Sequence, residues 1–277
     1  MGNDPVLVTG AEGMLGSYFD FGLTLTKSAL DVSDPIAVRE MFIKHKPNTV
    51  VHLAALTDLS VCEQKPNDAY RINTLGTLNV ATAAQSIGAT MVFLSTSGVF
   101  DGKQSTPYVE TDTPNPINVY GRSKYLAEEI VKSLLKEFLI IRTSWLFGGG
   151  REKDTKFVGK ILKQCRQAEI VAVTDRVGSP TYAKDLARAT QHLIAEGKRG
   201  TIHIGGGSAT RYDVANEILK SCQSSALLRP VESAIFEKNA GYVSGKNESI
   251  PLSPYVRPWQ EALQDYIRTE WGTKDSI

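Results

Sequence analysis

The stretch PVLVTGAEGMLGSYF, residues 5–19, runs from an apolar segment directly into three glycines spaced three residues apart. Residues 5–9 predict a short buried strand, and a short helix is expected to begin near Gly13. Gly10, Gly13 and Gly16 permit a tight turn whose backbone N–H groups approach a pyrophosphate, helped by the positive end of the helix. The spacing G-x-x-G-x-x-G departs from the dinucleotide fingerprint G-x-G-x-x-G, so the motif alone is a weak signal.

The chain that follows alternates apolar strands with helical segments. Further strands are predicted at 22–26, 48–56, 90–97 and 138–147, and helices within 33–47, at 66–87 and around Lys124. Ser33 is the expected N-cap of the first of these helices. Apolar strands alternating with helices predict a parallel sheet covered on both faces. The predicted fold class is therefore α/β, a doubly wound parallel sheet of the Rossmann type.

The pattern changes after Phe147, where a polar, glycine-rich loop begins. A helix near 156–167, a strand near 169–173, a further helix, a strand at 200–207 and a last helix after Pro258 are predicted. We expect residues 1–145 plus about 183–205 to form the dinucleotide-binding domain. About 146–182 and 206–277 are expected to form a smaller C-terminal substrate-binding lobe.

Composition restricts the class of protein further. The 277 residues carry a formal net charge of +1 without a long run of one sign, which argues against nucleic acid as a partner. Three distant cysteines favour a reduced, cytoplasmic setting and predict no metal site. No apolar run approaches the roughly 18 residues of a membrane span, and the start of the chain does not resemble a secretion signal.

A second group of residues suggests chemistry. Thr96 closes the fourth predicted strand, and open α/β sheets bind ligands at the carboxyl ends of their strands. Tyr120 and Lys124 share one face of the following helix, because residues four apart are neighbours. A nearby ammonium lowers the pKa of a tyrosine, which then acts as a general acid or base for a carbonyl/alcohol pair. A nicotinamide would carry the hydride.

The same residues also fit a purely structural interpretation. Thr96 is equally suited to cap a turn, and Lys124 to pair with Glu128 one helical turn later. Cofactor choice is similarly open. Lys27 is the nearest charge after the second strand and slightly favours NADP(H) over NAD(H), whereas Asp31 follows four residues later and a solvated lysine is as common.

Longer motifs carry a resemblance. The chain resembles the extended short-chain dehydrogenase/reductase superfamily and, within it, the dTDP-4-dehydrorhamnose reductases. The similarity rests on VTGAEGMLG, VVHLAALTDLSVCE, RINTLGTLNVA, NPINVYGRSKYLAEE, IIRTSWLFG and RVGSPTYAKDLA. It implies NAD(P)H-dependent reduction of the 4-keto group of a nucleotide-linked 6-deoxy sugar, as in dTDP-rhamnose biosynthesis. The alternatives are a nucleotide-sugar epimerase or dehydratase, and a non-catalytic NADP-binding regulatory subunit like that of methionine adenosyltransferase.

The resemblance also implies roles for single residues. Tyr120 would donate a proton, Lys124 would lower the tyrosine pKa and hold the nicotinamide ribose, and Thr96 would bind the carbonyl. Ser97 and Trp145 would also contact the sugar. The implied cofactor-binding set is Gly10, Gly13, Met14, Leu15, Gly16, Lys27, Asp31, Val32, Ala54, Ala55, Thr57, Asn73, Tyr120 and Lys124. The expected partner is a nucleotide sugar, and a homodimer is left open.

Two departures from the family pattern concern the substrate. Where the family reads S-T-D-Y-V-F, this chain places Ser97 and Gly98 after Thr96. The family's R-P-x-x-S segment is replaced by AGYVSGKNES, residues 240–249, which removes an expected contact to the nucleotide diphosphate. Arg151, Lys156 and Arg176 are candidates to restore that contact, or are simply solvated.

Overall fold

A computed structural model describes residues 5–236 and 241–272. Its centre is a six-stranded, wholly parallel sheet in the order β10-β5-β4-β3-β1-β2. The sheet strands are β1 (Val6–Thr9), β2 (Leu23–Leu25), β3 (Thr49–His52), β4 (Thr90–Thr96), β5 (Phe138–Thr143) and β10 (Gly200–Ile204). The predicted doubly wound parallel sheet is confirmed.

Helices and short strand pairs complete the described chain. The helices are α1 (Pro35–His45), α2 (Leu59–Gln64), α3 (Pro66–Ala69), α4 (Gly76–Ile87), α5 (Val119–Leu134), α6 (Gly150–Lys153), α7 (Phe157–Gln164), α8 (Ala183–Ala195), α9 (Arg211–Ser221) and α10 (Trp259–Tyr266). The remaining strands form three pairs: β6 (Leu146–Phe147) with β9 (Thr181–Tyr182), β7 (Glu169–Val173) with β12 (Leu227–Val231), and β8 (Val177–Gly178) with β11 (Ala209–Thr210). No described helix combines the length and apolarity that a membrane span requires.

The strand order fixes where a ligand would lie. β1 pairs with β2 on one side and with β3 on the other, so the chain reverses its direction of winding between β1 and β3. Open α/β sheets bind ligands at such a switch point, outside the carboxyl ends of the strands. The turn at Gly10 and the residues after His52 both lie there.

Side-chain caps start the two helices that frame this edge. The Asp34 carboxylate accepts hydrogen bonds from the N–H groups of Ile36 and Ala37 at the start of α1. The predicted cap, Ser33, is one residue early and instead donates its hydroxyl to Asp31, 2.7 Å away. Asn118 caps α5 by accepting from Gly121 N–H at 2.7 Å, which puts Tyr120 in the first turn of that helix.

The predicted strands 48–56 and 200–207 end early, at His52 and Ile204, and three further segments differ from the sequence expectation. The glycine-rich connection after β1 contains one 3-10 turn, Gly16–Tyr18, rather than a helix beginning near Gly13. The predicted strand 138–147 is split into β5 and β6, because Trp145 adopts a positive φ of 40°. The predicted helix 66–87 contains a π-helical turn, Tyr70–Leu75, between α3 and α4.

The apolar core consists of three main clusters. One covers the sheet on the side of α1, α4 and α5, and a second covers the opposite side against α8. The third lies away from the sheet and is built from residues between Phe147 and Trp271, including α7, α9 and α10. Separate clusters of this kind accompany units that pack their own apolar surface.

A carboxylate joins distant parts of the chain beside the glycine-rich turn. Glu270 accepts hydrogen bonds from the hydroxyl groups of Tyr18, at 2.7 Å, and Tyr182. The Tyr18 oxygen in turn accepts the backbone N–H of Gly149 at 2.6 Å. The contact therefore connects the turn after β1 with the loop after β6 and with the π-helical turn Ile267–Trp271.

Candidate active site

The glycine-rich turn packs directly against the end of β3. Gly10 has a φ of +74°, and a Cβ atom there would lie 2.7 Å from the backbone nitrogen of Ala54. A Cβ on Gly16 would lie 2.4 Å from the carbonyl oxygen of Gly10. Only glycine allows this close approach, so the first and third glycines build the turn, whereas a Cβ on Gly13 would meet the Gly10 oxygen less closely, at 3.3 Å. The compact turn fits the close backbone approach that a dinucleotide needs.

The neighbouring apolar residues divide between groove and core. Met14 and Ala54 are half-buried, whereas Leu15 is buried in the cluster between the sheet and α8. Val32 is buried in the opposite cluster, where it packs against Gly76. The structure therefore leaves only the backbone of Leu15 and Val32 for direct contact with a cofactor.

Two cations lie near the end of β2. Lys27 is exposed, and the Arg71 guanidinium donates to the Ser33 hydroxyl at 2.8 Å. Asp31 accepts both the N–H and the hydroxyl of Ser33, and these hydrogen bonds lower the pKa of its carboxyl, with help from the charges of Lys27 and Arg71. Sequence reasoning missed Arg71, because it lies 38 residues from Ser33 and only the fold brings the two together.

The groove after β3 is supported from behind. Ala54 and Ala55 are half-buried and Thr57 is exposed, as expected for groove residues. Asn73 is fully buried, with its oxygen accepting Leu56 N–H at 2.7 Å and its amide donating to the Ser123 hydroxyl at 2.9 Å. The structure therefore places Asn73 behind the groove, where it ties the groove to α5.

Thr96 and Tyr120 meet at the end of β4. Both are half-buried and border the same space at Gly98, and the Thr96 hydroxyl lies close enough to the Tyr120 phenol to lower its pKa. Thr96 also accepts Gly98 N–H at 3.0 Å, so the turn-cap interpretation of Thr96 and its contact with Tyr120 both hold. A Cβ on Gly121 would lie 2.2 Å from the Gly98 oxygen, so this glycine lets α5 approach β4 closely.

Burial dominates the electrostatics of this pair. It raises the pKa of Tyr120 to about 12, against a smaller lowering effect of the Thr96 hydrogen bond. Burial also lowers the pKa of Lys124 to about 7. The expected lowering of the tyrosine pKa by Lys124 is wrong, because a lysine with this pKa is largely uncharged in the range where the phenol ionises.

Lys124 lies beneath the site, on the sheet. Its side chain is 3% exposed, and Nζ is 4.0 Å from the centre of the Phe93 ring. The adjacent His52 is fully buried between the hydroxyls of Thr9 and Thr77, and burial lowers its pKa to about 3. A neutral His52 adds no second positive charge beside Lys124 at neutral pH.

Glu128 has a different partner from the one its spacing suggests. Its carboxylate is fully buried and contacts Arg142, with Nη2–Oε2 and Nε–Oε1 distances of 2.7 and 2.9 Å. The Ser95 hydroxyl donates to the same carboxylate at 2.5 Å. Glu128 still raises the pKa of Lys124 through its charge, but burial outweighs it. The suggested Lys124–Glu128 pair is therefore not among the ion pairs of the described residues.

The residues that replace the family's aspartate and tyrosine behave differently from each other. Ser97 is buried, at 1% exposure. Its side chain is therefore not accessible for the expected contact with the sugar. Gly98 is half-buried, and a Cβ there would lie 3.9 Å from the Tyr120 ring. The loss of the side chain at this position therefore leaves space beside Tyr120.

Opposite Tyr120 lies a charged aromatic cluster that sequence reasoning found only in part. The Arg211 guanidinium lies 3.5 Å from the centre of the Trp145 ring and 4.6 Å from that of Phe157. The Trp145 side chain lowers the pKa of the Glu248 carboxyl, and the negative charge of Glu248 adds to the effect of burial in raising the pKa of Tyr120. Trp145 was predicted; Arg211 and Glu248 were missed, because no local motif links residues so distant in sequence.

The three candidate cations for the diphosphate have separate environments. Lys156 Nζ donates to the Thr57 carbonyl at 3.3 Å and so borders the groove. Arg176 donates to the Ser244 carbonyl and acts on Glu248 through its charge. Arg151 donates to the Trp271 carbonyl at 2.9 Å and stacks on the Trp271 ring. Lys156 and Arg176 border the cleft, whereas Arg151 packs against the last turn.

Of segment 240–249, Ala240 lies outside the described residues.

Comparison with known proteins gives a consistent picture. A family model, the RmlD substrate binding domain, matches residues 4–270. The Bacillus subtilis spore coat polysaccharide biosynthesis protein SpsK is 36% identical over 278 residues, covering 95% of this chain and 96% of that protein. The Mycobacterium tuberculosis (strain H37Rv) dTDP-4-dehydrorhamnose reductase is 33% identical over 281 residues, covering 94% and 91%.

A solved structure extends the similarity to three dimensions. The Bacillus anthracis dTDP-4-dehydrorhamnose reductase, determined in complex with NADP, aligns with a TM-score of 0.89 and 31% identity, covering 95% of this chain and 98% of that one. The predicted resemblance is confirmed. Because the family model spans nearly the whole length, the chain belongs to the RmlD substrate binding domain family.

Proposed function

We propose that this chain is an NAD(P)H-dependent reductase of the 4-keto group of a nucleotide-linked 6-deoxy sugar. The observation that carries the proposal is the contact of Thr96 with Tyr120 at the carboxyl end of β4, one helical turn before the buried Lys124. A reductase needs a proton donor beside a carbonyl site, and these residues supply one on the scaffold of a family whose relatives bear reductase names.

Tyr120 is suited to deliver a proton. With its pKa raised to about 12, the phenol holds its proton at neutral pH and donates it only as negative charge develops on the substrate oxygen. Thr96 orients the same carbonyl oxygen through its hydroxyl. A nicotinamide, when bound, supplies the hydride. Lys124 binds the adjacent ribose, whose hydroxyl groups would replace the contacts it lacks.

The cofactor groove is proposed to run from the turn at Gly10 to Lys124. Gly13 and the backbone of Met14 and Leu15 would face the pyrophosphate, with Ala54, Ala55 and Thr57 along the groove. Asp31 and the backbone of Val32 would border the adenosine. We propose a preference for NADP(H), because Arg71 adds a second cation beside Lys27.

The remaining predictions concern organisation. We propose that the cluster between Phe147 and Trp271 is the core of the substrate-binding lobe, which closes over the sheet domain. Lys156 and Arg176 would then contact the diphosphate from the lobe side. A homodimer and a cytoplasmic location stay predictions.

A keto-sugar panel tests the proposal directly. Purified protein should oxidise NADPH or NADH with a dTDP-4-keto-6-deoxy sugar, and Tyr120→Phe should lower turnover by about 10²- to 10⁴-fold without changing the melting temperature appreciably. Tyr125→Phe, one position beyond Lys124 on the same helix, is the matched control and should retain activity. Cofactor binding without turnover across the panel would contradict the reductase, and tightly retained oxidised cofactor would favour an epimerase or dehydratase.

A further inference from the structure

The carboxylate of Glu248 lies in the cleft beside Tyr120, although the segment that carries it departs from the family pattern. It is half-buried, its charge adds to the effect of burial in raising the pKa of Tyr120, and the Trp145 side chain lowers the pKa of its carboxyl. Trp145 follows β5, and β5 pairs with β4 so that Thr143 lies opposite Thr96. Glu248 therefore borders the space next to the proposed proton donor.

The segment around Glu248 is firmly held. Glu248 N–H donates to the Val177 carbonyl at 2.8 Å, and the Ser144 hydroxyl donates to the Glu248 carbonyl at 3.1 Å. The adjacent Asn247 donates its amide to the carbonyls of Gln104 and Thr106, both at 3.0 Å. Backbone contacts on both sides fix the position of the carboxylate before any ligand binds, which reduces the cost of binding.

The Trp145 side of the cleft is equally specific. Trp145 has a positive φ of 40°, which is rare for a bulky residue and concentrates at functional sites. Its indole lies flat against Gly178, where a Cβ would come within 2.1 Å of the ring. Arg211 stacks on the same indole at 3.5 Å. These contacts fix the orientation of the Trp145 ring.

The charges around Glu248 leave acceptor capacity. Burial raises the pKa of the Glu248 carboxyl, while the charges of Arg211 and Arg176, the Trp145 side chain and the Gly245 backbone oppose that shift. A carboxylate offers about four acceptor positions, and a half-buried one binds hydroxyl donors well. In a cleft facing Tyr120, the donors that fit are the hydroxyl groups of a sugar ring.

We propose that Glu248 is a specificity-determining residue whose carboxylate accepts a hydrogen bond from a ring hydroxyl of the sugar bound at Tyr120. The inference rests on the proposed function, because it takes the occupant of the cleft to be a nucleotide-linked 6-deoxyhexose. It also gives the altered segment 241–249 a role: this segment selects the sugar by its hydroxyl pattern.

Binding of deoxy analogues tests the inference without requiring turnover. Calorimetry would compare a dTDP-linked 6-deoxyhexose with its 2-deoxy and 3-deoxy analogues. In the wild-type protein, one analogue should bind about 10- to 100-fold more weakly, as expected for a lost hydrogen bond to a charged group. In Glu248→Ala, binding of the parent sugar should weaken by a similar factor. The ratio of the dissociation constants of the deoxy analogue and the parent sugar should then approach one.

Two further variants keep the test decisive. Glu248→Gln preserves the shape of the side chain. If Glu248→Ala fails to fold, a reduced ratio of the two dissociation constants in Glu248→Gln supports the role of the carboxylate. Glu169→Gln, which removes an exposed ion pair with Arg229 in the same lobe, is the control and should keep the wild-type ratio. A purely structural Arg211–Glu248 interaction would change stability and leave the ratio intact, which would overturn the inference.

The outcomes separate the two proposals. A wild-type protein that binds the parent sugar but does not reduce the corresponding dTDP-4-keto-6-deoxy sugar would contradict the reductase, while the ratio would still report on Glu248. An active protein whose ratio is unaltered by Glu248→Ala and Glu248→Gln would overturn the role of Glu248 alone. Failure to bind any of the three sugar nucleotides would overturn both.

Discussion

Helix α5 buries positive charge in two places that are built differently. At Arg142, the cation contacts the carboxylate of Glu128 at 2.7 Å, and both side chains are almost completely buried. At Lys124, the ammonium lies over the Phe93 ring, and burial lowers its pKa to about 7. A buried charge that is paired holds structure together, whereas one left under-compensated is suited to meet a ligand. The difference supports a structural role for Arg142 and a functional role for Lys124.

The largest effect is expected at the paired site. Arg142→Met would leave the Glu128 carboxylate buried without its main partner and should lower the free energy of unfolding by about 3–5 kcal/mol. Urea unfolding followed by circular dichroism measures the change. The double variant Glu128→Leu/Arg142→Met should recover most of the loss, since it removes both charges. A single variant as stable as the wild type would contradict the structural role of the pair.

The second effect concerns activity at Lys124. Lys124→Met should reduce turnover by about 10²-fold or more, because the proposed site for the nicotinamide ribose would lose its cation. The free energy of unfolding at pH 7 should at least equal that of the wild type, because the cost of burying a cation disappears. Steady-state kinetics and urea unfolding read the two quantities. Activity retained together with lost stability would reverse the contrast between Lys124 and Arg142.

The third effect follows from proton linkage. The pKa of Lys124 is about 7 in the folded chain against an ordinary 10.5, so between these values the unfolded chain binds more protons. The stability contributed by this site therefore rises with pH, by at most about 1.4 kcal/mol per pH unit. The free energy of unfolding of the wild type, minus that of Lys124→Met, should therefore rise from pH 7 to pH 9. If the free energies of unfolding of the two proteins change with pH in parallel, the pKa of Lys124 is not lowered by folding.

The smallest effect is expected at the solvent edge of the same helix. Lys132 is one-third exposed and contacts Glu129 at 2.8 Å and Glu128 at 3.6 Å. Lys132→Gln should lower the free energy of unfolding by no more than about 0.5 kcal/mol, because water screens such pairs. A loss comparable to that of Arg142→Met would mean that Glu128 depends on Lys132 rather than on Arg142.

The sequence predicted those parts of the site that depend on local spacing. Tyr120 and Lys124 share a helix, Thr96 ends a strand, and the parallel sheet brings these ends to one edge. The partner of Glu128 was not predictable in this way, because both Lys124 and Lys132 have suitable helical spacing, whereas Arg142 enters from a neighbouring strand. Arg211 and Glu248 were missed for the same reason: they come near Trp145 only through tertiary packing of segments distant in sequence.

Backbone geometry accounts for the other differences. The spacing of Gly10, Gly13 and Gly16 predicted a turn, but the helix expected after it is replaced by one 3-10 turn held between Gly10 and Tyr18. Trp145 lies in a run of apolar residues that reads as a continuous strand, and its positive φ becomes evident only when its indole is seen against Gly178. Such positions are set by tertiary contacts that override local preference.

The hydrogen bond between Tyr18 and Glu270 has a consequence for biosynthesis. The two residues are 252 positions apart, so at ribosomal rates Tyr18 is made roughly 10–50 s before its partner. The strands of the sheet up to β5 emerge much earlier and can pair as they appear. The loop at Gly149 donates a hydrogen bond to Tyr18. Tyr18 can bind Glu270 only after the turn Ile267–Trp271 has been synthesised. On a translating ribosome, the glycine-rich turn after β1 is thus made first, and the carboxylate that ties it to the loop after β6 is made last.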